Sequence, residues 1–170
     1  MNFSFEGDLI RPLGVVTLYF GYAEFEVDAL LDALIGVGLA VDRPRNASLG
    51  QKLAAVRDVL SRQKIAEASQ LIAIVDEVRP LIELRNTLVH SSIVAGGRVR
   101  PSDKARSDMT VTPEQLTQLA DAIFNWKERL SATWQLQLMP ALQRMEQNGN
   151  SPTVRANAGV PSSVSQGGSR

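Results

Sequence analysis

Leu13-Gly14-Val15-Val16-Thr17-Leu18-Tyr19-Phe20-Gly21-Tyr22-Ala23 is the most apolar stretch of the chain, and two acidic residues, Glu24 and Glu26, follow it directly. Val15, Val16, Leu18, Tyr19, Tyr22, Leu30, Leu31 and Leu34 recur at steps of three and four, while Glu24, Asp28 and Asp32 mark a polar stripe. That period predicts an amphipathic helix from about Leu13 to Leu39, loosened at its end by Gly36 and Gly38. The apolar part falls well short of the roughly 20 residues that span a bilayer. The start, Met1-Asn2-Phe3-Ser4-Phe5-Glu6, lacks the basic and apolar regions of a signal peptide, so the expected location is cytoplasmic.

Further helices follow on either side of turn-forming residues. Asp42 to Asn46 reads as a loop, and Ser48 is a good N-cap for a helix to about Gln63, with Leu49, Leu53, Val56 and Leu60 on its apolar face. A third helical stretch runs from about Ile65 to Ser92. Pro80 removes a backbone donor inside it and is expected to kink it or split it after Val78. Ile93 to Val111 contains Gly96-Gly97, Pro101 and the basic residues Arg98, Arg100, Lys104 and Arg106. It reads as a basic loop, or as a small hairpin between Ile93-Val94 and Met109-Val111. The last helix begins at Thr112 as cap, with Pro113 in the first helical position and Gln115 completing a capping box. Leu116, Leu119, Ile123, Trp126 and Leu130 form its stripe, and Pro140 is expected to bend it before it frays near Gln147. Asn148 to Arg170 has no apolar period and is expected to be a disordered tail. The expected architecture is an all-α bundle of four to five helices over residues 1–147, followed by a tail at 148–170.

Composition narrows the chemistry. Of 170 residues, 18 are basic and 18 acidic, none is cysteine and one, His90, is histidine. A disulfide framework, a thiolate metal site and a thiol nucleophile are excluded, and one imidazole cannot build a multi-histidine metal centre. No cofactor and no metal are expected. Glu24, Asp28 and Asp32 could share a divalent ion, but a solvated helix face, or partners for a buried cation, explains them better.

The informative stretch is Glu83-Leu84-Arg85-Asn86-Thr87-Leu88-Val89-His90-Ser91-Ser92. Asn86 and His90 lie one helical turn apart, nearly in line with Glu83 and Arg79. Arg85 has only Leu81, Ile82, Leu88 and Val89 at three and four residues on either side, so it sits on a core-facing stripe. A guanidinium there costs several kcal/mol unless a carboxylate, phosphate or carbonyl meets it. Either Arg85 anchors an ion pair to Glu24, Glu26 or Asp28, or it extends outward along its stem, or it awaits an anionic ligand. Trp126, Trp134, Tyr19 and Tyr22 could stack bases, but their helical spacing favours core packing.

Arg85-Asn86-Thr87-Leu88-Val89-His90 resembles the Arg-polar-x3-His signature of the HEPN superfamily, the higher eukaryote and prokaryote nucleotide-binding helical domains, and the likeness extends over roughly Leu13 to Gln147. The resemblance implies a metal-independent endoribonuclease that uses the RNA 2′-hydroxyl to leave 2′,3′-cyclic phosphate and 5′-hydroxyl ends, as in a toxin or phage-defence effector. His90 would then transfer a proton, Arg85 bind the scissile phosphate and Asn86 orient the site, with Glu83, Arg98, Arg100, Lys104 and Arg106 contacting RNA. A homodimer meeting near Arg85 to Ser92 would bring two imidazoles to one groove. Some HEPN toxins carry a tyrosine two residues after the histidine, as the acceptor for AMP from an antitoxin partner. Here Ser92 stands there, a departure from that pattern, so an antitoxin partner of that kind would have to use Ser91 or Ser92 instead. The competing expectation is a non-catalytic HEPN-like or mannitol-repressor-like regulator that binds nucleotide or a protein partner with the same stripe.

Overall fold

A computed structural model of the chain describes residues 9–42, 46–64, 66–94, 98–100 and 109–147. The fold is all-α. Its helices are α1 (Ile10–Gly36), α2 (Leu49–Ser61), α3 (Ala66–Glu77), α4 (Arg79–Val89), α5 (Pro113–Thr133) and α6 (Met139–Gln147), with three short strands between α4 and α5. The expected tail at 148–170 lies outside the described residues, as do Lys104 and Arg106.

α1 starts three residues before Leu13 because Pro12 falls within its first turn, where the missing N–H would have no helical partner anyway. Its other end closes on Gly38, whose φ of 80° is open to glycine at no steric cost. Gly38 N–H donates to the Ile35 carbonyl at 2.9 Å and Leu39 N–H to the Leu34 carbonyl at 3.1 Å, the paired bonds of a Schellman cap, with Leu34 and Leu39 both buried. The expected Ser48 cap and the expected Thr112–Gln115 capping box are both present, and Gln51 makes the Ser48 cap a capping box as well. The third stretch is split, as Pro80 requires, at the single turn residue Val78. Ahead of Pro140 the helix widens into a π-turn, Trp134–Leu138, which accommodates a proline unable to donate to the Leu136 carbonyl.

Residues 92–110 correct the hairpin expectation. β1 (Ser92–Val94) does not pair with β3 (Met109–Thr110), because β2 (Arg98–Arg100) lies between them and is antiparallel to both. The reason is the period-two pattern of Arg98-Val99-Arg100, which buries Val99 completely and leaves both arginines exposed.

α1 packs along α5 on one side and against α2 on another. Its buried face is Val16, Phe20, Ala23, Val27, Leu30, Leu31 and Leu34. Leu18 and Tyr22, expected in the core, are each 50% exposed. Apolar residues occur nearly all round this part of α1, so two stripes satisfy the same spacing and only packing decides between them. Tyr19 does pack, with its ring 5.1 Å from that of Phe124. Trp126 is buried and donates its indole N–H to the Ile74 carbonyl at 2.7 Å, joining α5 to α3. Trp134 is half-buried and donates to Glu26 at 2.7 Å.

Between α1 and α2, Lys52 Nζ is gripped by Glu24 at 2.9 Å and Asp28 at 2.8 Å, with the lysine side chain 13% exposed. Burial alone would lower the lysine pKa. The hydrogen bonds and charges of Asp28 and Glu24 outweigh it and raise the pKa above its ordinary 10.5. The charged clamp is therefore intact at neutral pH and is lost only as pH rises through that elevated value. Lys52→Met is expected to lower stability at pH 7 by about 1–3 kcal/mol, read from urea unfolding. The gap between parent and variant should hold through neutral pH and close in the alkaline range; a gap that stays constant there would contradict the clamp.

Candidate functional site

α4 is short, and its sequence sends different side chains in different directions. At about 100° per residue, Arg85 points toward α1, His90 lies some 140° away, and Asn86 falls between them. Arg85 is half-buried. Its guanidinium carbon sits 4.2 Å above the centre of the Phe20 ring on α1, a cation–π stack, and Nη1 donates to Asn86 Oδ1 at 3.1 Å. Nε is sealed from solvent without a hydrogen-bond partner.

No carboxylate bridges Arg85 among the described residues. Of the three expected anchors, Glu24 and Asp28 hold Lys52 and Glu26 holds Trp134. Burial lowers the Arg85 pKa from its ordinary value, and the charge of Glu24 opposes that shift only in part. The protein thus keeps a cation in a partly dry site with aromatic rather than anionic support. Such a group has unspent capacity for an anion.

His90 closes α4. It is exposed, its backbone leaves helical geometry at φ −97° and ψ 12°, and its N–H donates to the Asn86 carbonyl at 3.1 Å. Asn86 is therefore the joint of the site, accepting from Arg85 with its side chain and from His90 with its backbone. Ser91 Oγ donates to the Thr87 carbonyl, which ties the exit from the helix back onto its last turn. Glu83, expected at the site, is an exposed residue paired with Arg79 at 3.2 Å, so this carboxylate is engaged along the helix surface and is not joined to the Arg85–Asn86 pair.

The strands bring further positive charge to this end of α4. Arg100 is the register partner of Ser92, two residues beyond His90, and Arg98 is paired with Val94 on one side and Thr110 on the other. Both arginine side chains are exposed. The C-terminal end of a helix carries about half a negative charge, which disfavours phosphate, so an anion held there would need nearby positive charge to offset that field. Groups of three or more metal-ligating side chains do not occur among the described residues, in keeping with Glu24 and Asp28 serving as the lysine clamp.

Sequence reading missed Phe20 and Lys52. Phe20 could be placed in the α1 core from Val16, Ala23 and Val27, but its role beneath Arg85 depends on how α4 crosses α1. Lys52 carried a readable signal, a lysine between Leu49 and Leu53 on a helix that follows an acidic stripe. Comparison with protein-family models, curated proteins and solved structures finds no match.

Arg85→Met tests the stacked, unanchored arginine. It retains an unbranched stem over Phe20 and removes the buried unpaired Nε, whose cost is about 1–3 kcal/mol. Its unfolding free energy should equal or exceed that of the parent; a loss above about 3 kcal/mol would mean that Arg85 anchors a buried ion pair after all.

Proposed function

We propose that the chain is a metal-independent endoribonuclease whose site is Arg85, Asn86 and His90, with Arg98 and Arg100 contacting the RNA backbone. The observation that carries this reading is a half-buried guanidinium that no carboxylate bridges among the described residues, held by Asn86 one helical turn before the exposed histidine that ends the same helix. RNA brings its own nucleophile. His90 takes the 2′-hydroxyl proton, the 2′-oxygen attacks phosphorus, and the bond to the 5′-oxygen breaks as that oxygen takes a proton from water. Arg85 stabilises the charge gathering on the phosphate oxygens, in a setting where low dielectric strengthens it. The products are a 2′,3′-cyclic phosphate and a 5′-hydroxyl. A toxin or defence role is the biological form of this proposal.

The test is cleavage of structured and unstructured RNA in EDTA by the full chain and by His90→Gln and Arg85→Met, each confirmed to keep the parent's helical content. His90→Gln should lose about 10²–10⁴-fold in rate, and Arg85→Met about 10²–10³-fold. Arg98→Ser and Arg100→Ser should weaken binding uniformly across sequences and flatten its salt dependence, by about 0.7 in slope for each single-strand phosphate that is no longer neutralised. Cleavage that persists in both site variants would remove these residues from the chemistry. Binding of nucleotide without cleavage of any RNA would favour the regulator.

A further inference from the structure

Of the six helices α4 is the least anchored. Among the described residues α1 and α5 each bury seven side chains, α2 five, α3 four and α6 two, whereas α4 buries only Leu88. Leu81 and Ile82 are partly covered, and Arg85 fills another core-facing position with a charge. The first turn offers little support. Val78, in the N-cap position, makes no side-chain cap, where α2 and α5 open with capping boxes. Arg79 sets a cation at the positive end of the helix dipole. Arg85 itself docks at a cost: it stacks on Phe20 while its Nε is sealed without a partner, so seating the helix on α1 strips one donor of water.

Both ends of the segment, by contrast, are held. Val78 is buried and follows α3 directly, and α3 is tied to α5 where Trp126 donates to the Ile74 carbonyl. At the other end β1 pairs with β2, whose Val99 is completely buried. We propose that α4 is a strap with fixed ends. Between Val78 and Ser92 it releases from α1 and unwinds as one unit, far more often than the rest of the bundle unfolds, and Arg85 is the residue that keeps its docking shallow. Marginal local stability of this kind follows from few buried apolar contacts and a solvent-facing backbone.

Release lifts the guanidinium off Phe20 and breaks the turn that joins Arg85, Asn86 and His90. What this means for RNA rests on the reading of those residues as the site; the opening itself does not. On that reading the site exists only while α4 is docked, and an oxyanion held by Arg85 in the docked form shifts the balance toward it. The order of α4 is then coupled to the presence of the ligand.

Native-state hydrogen exchange of the full chain, followed by NMR at low urea concentrations, tests this. The α4 amides from Leu84 to His90 should be protected about 10²-fold less than the amides around Ile123 in α5. Their exchange should depend little on urea, because a local opening exposes little surface. Arg85→Met, which keeps the stem and removes the sealed Nε, should slow exchange in α4 by about tenfold. Inorganic phosphate should slow it in the parent, relative to sodium chloride of equal ionic strength, and have no such effect in Arg85→Met. If the α4 amides exchange together with those of α5 and with the same urea dependence, α4 opens only with the whole molecule and the proposal is overturned. Exchange as fast in Arg85→Met as in the parent would overturn it too, since the arginine would not be what keeps docking shallow. Separate opening without a response to phosphate would uphold the strap and count against Arg85 as an anion site.

Discussion

The guanidinium of Arg85 resting on the Phe20 ring is the contact on which the functional architecture depends. It joins α4 to the longest helix without an ion pair, and it leaves a charged group in a partly dry place with one donor unspent. Proteins ordinarily neutralise such a group or replace it by an apolar residue of similar volume. Here the available carboxylates have been assigned elsewhere, to Lys52 and to Trp134, although they lie on the same helix as Phe20. Among the described residues no carboxylate bridges this charge, and the proposed function assigns it to an external anion.

The rest of the fold serves to position that contact. The Lys52 clamp and the Tyr19–Phe124 packing fix α1 between α2 and α5. Trp126 fixes α5 against α3, and the single-residue break at Val78 lets α4 leave α3 in a new register. β1 then begins immediately beyond His90 and Ser91, and its pairing with β2 returns Arg100 to the end of α4. Arginines from α4 and from β2 are therefore carried on adjoining elements beside a helix terminus whose own dipole would repel an anion.

Features governed by neighbouring residues were legible in the sequence. The Ser48 cap, the Thr112–Gln115 capping box, the split at Pro80, the start of α5 and the unusual surroundings of Arg85 follow from neighbours a few residues along the chain. Features that depend on which element lies beside which were not. The carboxylates suggested for Arg85 went to Lys52 because α2, and not α4, lies along that side of α1. Tyr22 and Leu18 satisfied the apolar period yet face solvent, since spacing alone does not choose between two stripes on one helix. β2 was hidden because three residues with one buried valine give too short a pattern to stand against a run of basic loop residues.

Whether Arg85 and His90 act on one phosphate can be tested directly in solution. His90 is the single histidine, so its ring resonances are unambiguous, and the Arg85 Nε–H signal can be assigned by comparison with Arg85→Met. Titration of the full chain with a nucleoside 2′,3′-cyclic phosphate, followed by NMR, should shift both signals together along a single saturating curve, and in Arg85→Met the response at His90 should disappear. If His90 responds while Arg85 does not, or if neither moves at saturating ligand, the two groups do not form one site.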